Sequence, residues 1–161
     1  MKLIRTEKNQ LTFSLSRREK QLLVNTLMMY PLVPATHHRL IKTNKKARAH
    51  DQHLLEEAVA EQRNENRKRV QVLLEEPRRF HEEKNAIQFL LTREEIEWLL
   101  QVLNDVRVGA WLALGKPDEL FVPEIDETNA PNLLAMEISG YFQGELLAAL
   151  GHSQPDSSDE S

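Results

Sequence analysis

Phe13-Ser14-Leu15-Ser16-Arg17-Arg18-Glu19 and Phe89-Leu90-Leu91-Thr92-Arg93-Glu94-Glu95 repeat one design at an offset of 76 residues. In each, a short apolar run precedes Ser or Thr, and Glu follows three residues later. That spacing lets the hydroxyl and the carboxylate satisfy each other's orphan backbone amides, so each stretch reads as a strand that ends where a capped helix begins. The register continues through Leu22/Trp98, Leu23/Leu99, Val24/Leu100 and Leu27/Leu103. This pattern fits a pseudo-repeat of residues 11–30 and 87–115. Convergent capping ahead of an apolar helix would give it without duplication.

The elements around these units follow from periodicity. Leu3, Leu11, Phe13 and Leu15 alternate with Arg5, Thr12 and Ser14 about the polar turn Glu7-Lys8-Asn9-Gln10. A β-hairpin of Lys2–Thr6 and Leu11–Leu15 is expected. Leu22, Leu23, Leu27 and Tyr30 recur at helical spacing until Pro31 and Pro34 stop the helix. Pro31 to Asn44 reads as extended or irregular. Lys45 to Glu76 reads as a long helix ended by Pro77, apolar at Leu54, Leu55, Ala58 and Val59 and again at Val70, Leu73 and Leu74. Between those patches Glu61 to Arg69 holds no apolar residue, which predicts a solvated stretch that projects beyond the core or breaks.

Arg78 to Asn85 reads as a polar connection and Ala86 to Leu91 as a short strand. From Thr92 to Gly115 the pattern is apolar well beyond one stripe, as in the central helix of a domain. Lys116 to Pro131 forms an acidic loop that Leu120, Phe121, Val122 and Ile125 would dock on the core. A last helix is expected from Asn132 to Leu150, with Ala135, Ile138, Phe142, Leu146 and Ala149 inward. Gly140 and Gly144 in it suggest close packing against a neighbour. After His152 the chain has no apolar residue and reads as a disordered tail. The expected fold is mainly α: a small helical bundle of about four helices with a short N-terminal β-hairpin and one further short strand, forming one domain over residues 1–151.

Composition removes whole classes of chemistry. Without cysteine there are no disulfides, thiolate zinc sites, iron–sulfur clusters or cysteine nucleophiles. Met1 to Lys8 carries charge where a signal peptide needs an apolar stretch, and Ile96 to Leu114 is too interrupted by polar residues to span a membrane. A cytoplasmic, soluble protein is expected. No string matches a zinc-protease helix, a nucleophile elbow or a phosphate loop. His50, His53 and Glu57 share a helical face but lack further ligands. No catalytic residue, metal site or cofactor is therefore assigned.

Two groups remain as candidate sites. Arg39, Lys42, Lys45, Lys46 and Arg48 form a basic run without an acid, extended by Arg63, Arg67, Lys68 and Arg69. They are the candidate phosphate contacts of a nucleic-acid-binding alternative, although no aromatic residue interleaves to stack bases. The second group is Asn104, Asp105 and Arg107, set in the most apolar helix, with Trp111 one turn beyond for Arg107 to lie over. The adopted reading is a buried polar network fixing helix register, with recognition or catalysis by Asp105 as the alternative. Gly109 would be tolerated there if a neighbouring backbone comes close.

Leu103-Asn104-Asp105-Val106-Arg107, preceded by Ile96-Glu97-Trp98-Leu99-Leu100, resembles a bacterial domain-of-unknown-function family often encoded beside the N-end-rule adaptor of the Clp protease. The similarity covers the N-terminal unit and residues near Leu90 to Leu150. The stretch from Pro31 to Asn85 departs from it by being longer and more charged. The resemblance implies a small cytoplasmic bacterial protein with a connection to proteolysis, and no catalytic residues. The function expected is a non-enzymatic interaction or regulatory module with a protein partner.

Overall fold

Alternating side chains build two hairpins that merge into one sheet. The computed structural model describes residues 1–34, 45–118 and 123–152, with 45–48 described by backbone alone. Strand β1 (Lys2–Glu7) pairs antiparallel with β2 (Gln10–Leu15), and β3 (Phe80–Glu82) pairs antiparallel with β4 (Ile87–Thr92). β2 and β4 are themselves antiparallel neighbours, giving the order β1-β2-β4-β3. Across that central seam Leu11 faces Leu91, Phe13 faces Phe89 and Leu15 faces Ile87, and all six are buried. The two residues matched by the 76-residue offset, Phe13 and Phe89, therefore stand directly opposite each other.

Four strands replace the hairpin plus one strand expected. β3 escaped notice because it is a three-residue edge strand inside a polar run, with only Phe80 turned inward. Phe80 stacks on its partner Phe89 with ring centroids 4.7 Å apart, and the Lys20 ammonium lies 4.6 Å from the Phe80 centroid. Stacking across one strand pair gives a short strand a reason to stay registered.

The fold is mainly α. Helix α1 (Arg17–Met28) and α3 (Arg93–Ala113) each open at the expected box. The Glu19 amide donates to Ser16 Oγ (3.0 Å) and the Ser16 amide to Glu19 Oε1 (3.1 Å). The Glu95 amide donates to Thr92 Oγ1 (3.2 Å) and the Thr92 amide to Glu95 Oε2 (2.8 Å). α2 (Lys45–Glu75) and α4 (Ala130–His152) complete the described helices. Leu23 and Leu27 of α1, Val70 and Leu73 of α2, Leu99 and Leu103 of α3, and Phe142 and Leu146 of α4 join the sheet's inner side chains in one apolar cluster. α3 is the central helix, as its breadth of apolar residues predicts.

α2 differs from its expected solvated middle. From Ala49 to Arg69 none of its residues is buried, so that length stands at the surface. Within it, however, Asn66 donates through Nδ2 to the Tyr30 hydroxyl (3.1 Å) and accepts from Trp98 Nε1 (3.1 Å). Arg69 lies 4.2 Å from the Trp98 ring centroid, and Arg63 donates to the Val33 carbonyl. Residues three apart on a helix share a face, so Arg63, Asn66 and Arg69 form a polar seam against the rest of the fold. Polarity disguised that contact face.

Three further expectations change in the C-terminal third. A Cβ built on Gly140 or Gly144 meets nothing within 4 Å, so that pair faces open space and does not mediate packing. Ile125 is 76% exposed and does not dock the acidic loop, whose residues 119–122 lie outside the described residues. α4 starts earlier than Asn132, because Asp126 Oδ1 accepts from the Thr128 and Asn129 amides (2.8 Å each) while the Asp126 amide donates to Asn129 Oδ1 (2.8 Å). That reciprocal turn caps the chain ahead of Pro131, which a first helical turn accommodates. The expected tail after His152 falls outside the described residues.

Candidate functional site

The C-terminal half of α3 is held from one side and open on the other. Asp105 points to the held side, where Oδ1 accepts hydrogen bonds from the backbone amides of Leu32 (2.7 Å) and Val33 (3.2 Å). Gly109, one turn on, supplies the room: a Cβ there would sit 2.5 Å from the Leu32 carbonyl carbon and 2.7 Å from the Val33 nitrogen. The close backbone approach that this glycine required is thus the Leu32–Val33 segment. Asn104 and Arg107 are exposed and do not join Asp105. The expected buried network of Asn104, Asp105 and Arg107 is corrected accordingly. Spacing separates them, because neighbouring helical positions point about 100° apart.

On the open side a cleft of about 300 Å³ lies between α3 and α4, lined by Arg107, Val108, Trp111 and Met136. Trp111 is 37% exposed, and its Nε1 donates to the Pro117 carbonyl (3.0 Å). The reversal that brings Pro117 back needs positive φ at Gly115 (81°) and Lys116 (59°), closed by the Lys116 amide donating to the Trp111 carbonyl (3.0 Å). The indole is therefore fixed at its polar edge and offers its apolar body to the cleft. Among the described residues no hydrogen bond or ion pair engages the Arg107 guanidinium, nor does it stack on Trp111. The tryptophan under a guanidinium is Trp98, beneath Arg69. Of the predicted cluster, Arg107 and Trp111 share the cleft, Asn104 stands exposed, and Asp105 serves the opposite side.

The basic group is dispersed by comparison. Arg39 and Lys42 fall outside the described residues, and Lys45, Lys46 and Arg48 are described by backbone only. Of the four cations that extend it, Arg63 and Arg69 belong to the polar seam, while Arg67 and Lys68 are exposed outside it. His53 Nε2 lies 3.1 Å from Glu57 Oε1 with both side chains in solvent, and His50 is exposed. Among the described residues no group of three or more His, Asp or Glu is placed to hold a metal ion, and no helix is long and apolar enough to cross a membrane.

The strongest electrostatic cluster is structural and was missed in the sequence. Arg79 donates to both carboxylate oxygens of Glu95 (2.7 and 2.9 Å), to the Leu90 carbonyl (2.8 Å) and to Glu76. Burial alone would lower its pKa, but the Glu95 and Glu76 carboxylates outweigh burial and raise it. Burial alone would raise the Glu95 pKa, but Arg79 and the Thr92 amide reverse that and hold it below the usual carboxylate range. A second cluster joins α1 to α4: the Tyr141 hydroxyl donates to Glu19 Oε2 (2.8 Å), and the Met1 amine contacts both. Burial, then the nearby Glu145 charge, raises the Tyr141 pKa. Glu76 and Arg79 stand three residues apart, but no sequence spacing announces the pairings of Arg79 with Glu95 or of Tyr141 with Glu19, which join residues 16 and 122 positions apart.

Compared with known proteins, the chain matches no family model, no curated protein and no solved structure.

Proposed function

We propose that this chain is a non-enzymatic interaction module that captures a protein partner at the cleft between α3 and α4. The observation that carries this reading is the cleft itself. It combines an indole already tethered at its polar edge, a thioether from Met136, and a guanidinium that no described residue engages. Aromatic and arginine side chains are the residues that dominate protein–protein binding energy, and a preformed apolar wall costs little ordering on association. Among the described residues its lining is Arg107, Val108, Trp111 and Met136, a set that suits recognition. The resemblance to a family encoded beside the adaptor of the Clp protease connects the proposed partner to proteolysis.

A photo-crosslinking aromatic residue at position 111, which keeps a ring in the cleft, tests the reading in cells, with a second placed at Ile4 on the sheet as control. The expected result is a discrete protein adduct from position 111 alone. Excess unlabelled wild-type chain should suppress it, and excess Arg107→Ala chain should not. No adduct, or an adduct that both competitors suppress equally, would overturn the reading.

A further inference from the structure

All 21 lysines and arginines of the chain lie at or before Lys116. From Pro117 onward there are acids and no lysine or arginine, so α4 presents a surface whose only charged side chains before His152 are Glu137 and Glu145. That helix also carries large apolar side chains on both its covered and its uncovered sides. Leu134 is 54% exposed, Tyr141 42% and Leu147 57%. Helical geometry puts Leu134 and Tyr141 along one flank of the outward face and Leu147 along the other. Between the flanks Gly140 and Gly144 leave the space above the backbone empty. Large apolar side chains on an open helix face signal a partner surface.

We propose that the outward face of α4 docks a cationic amphipathic helix, a deepening that rests on the interaction-module reading. Charge decides among the candidates. A second copy presenting its own α4 would set Glu137 against its own counterpart, while of the cations beside Glu145, Lys2 and the Met1 ammonium, the latter is already paired with Glu19. An anionic lipid surface would be repelled by the same acids. A helix with leucine-like side chains on one face and lysines or arginines beside them buries Leu134 and Leu147 while its cations meet the two carboxylates. The Met1 ammonium beside Tyr141 is paired with Glu19, whereas Arg107, in the cleft with Met136 of the first half of α4, is engaged by no described residue. Arg107 would attract the carbonyl-rich C-terminus of the incoming helix, which sets the two helices antiparallel.

The probe is a fluorescein-labelled Leu/Lys peptide of about 14 residues with helical periodicity, roughly four turns. Controls are the same apolar pattern with Glu in place of Lys, and the same Leu/Lys composition with strand periodicity. Anisotropy titration of the full chain should show binding of the helical Leu/Lys peptide and of neither control. Leu134→Ser with Leu147→Ser should weaken binding about tenfold or more with an unchanged melt. Glu82→Gln with Glu83→Gln, on the exposed β3 hairpin, should leave binding as it was. A free C-terminal carboxylate on the peptide should bind tighter than its amide, and Arg107→Ala should erase that difference.

No binding at about 1 mM chain, equal binding of the Glu peptide, or unchanged affinity in the double serine variant would overturn the proposal. So would a dimer in sedimentation that Leu147→Glu dissolves. If these arms fail while the Arg107-dependent crosslink at position 111 persists, this proposal falls and the interaction reading stands. Loss of the crosslink removes the reading itself.

Discussion

Asp105 holds Leu32 by a 2.7 Å hydrogen bond from the Leu32 amide to its Oδ1, joining residues 73 positions apart. The same oxygen accepts from Val33, so one carboxylate secures two amides of a segment that has no secondary structure of its own. Asp105→Ala strands both donors, at a cost of about 1–3 kcal/mol. For a chain of this length that lowers Tm by several degrees, roughly 2–4 °C per kcal/mol. Asp105→Asn, which keeps an acceptor oxygen, should lose less. Asp51→Ala and Arg107→Ala, both at exposed positions, should melt like the parent. A drop on Arg107→Ala as large as on Asp105→Ala would restore the buried pair that the sequence suggested.

Gly109→Ala separates propensity from packing. In a free helix the change is stabilising by about 1 kcal/mol. Here the new methyl meets backbone of Leu32 and Val33 that cannot rotate away. Overpacking of that kind costs about 1–3 kcal/mol, so the expected net effect is a lower Tm. Gly140→Ala, on the open face of α4, keeps the propensity gain and should raise it. Thermal melts of the two variants should move in opposite directions.

Asn66 carries the seam between α2 and the rest of the fold. Asn66→Ala leaves the Trp98 indole and the Tyr30 hydroxyl without their partner, costing about 1–3 kcal/mol in chemical denaturation. Asn64→Ala, exposed two residues away on the opposite side of the helix, should stay within about 0.5 kcal/mol of the parent. Equal effects from both would mean that the middle of α2 is solvated after all.

Glu95 predicts the acid limb of stability. Its pKa is depressed in the folded chain, so its contribution is complete above the ordinary carboxylate range and is lost as the pH falls through the folded value. Glu95→Ala removes the capping box, about 1 kcal/mol, together with charge-assisted bonds to Arg79 of about 1.5–3 kcal/mol. Near neutral pH the variant should be less stable by that order, and the gap should close as the pH falls below the ordinary carboxylate range. Glu94→Ala, which is exposed, should show neither effect. A gap that persists unchanged into acid would contradict the ion pair with Arg79.

Both capping boxes, the β1–β2 hairpin and the central place of α3 were legible because each is written in local spacing. Gly109 was readable as a request for close approach, though not what approaches. The face of α2 at Arg63, Asn66 and Arg69 was not legible, since contact there is made by polar groups against Tyr30, Trp98 and Val33 and not by apolar side chains. β3 was hidden for a related reason: a single Phe80 makes its case only once Phe89 lies beside it. Of the candidate site, Arg107 and Trp111 were named from sequence for a network that does not form. The cleft they share needed Met136, whose place opposite them comes from packing between α3 and α4.

The central claim is that the surface between α3 and α4 recognises a protein, and calorimetric titration tests it most directly. The partner crosslinked at position 111 is titrated into the wild-type chain and into Arg107→Ala with Trp111→Ala, after melts establish that both are folded. Loss of a binding hot spot of about 2 kcal/mol predicts roughly a 30-fold weaker Kd in the double variant. Equal affinity for the two chains would contradict the account.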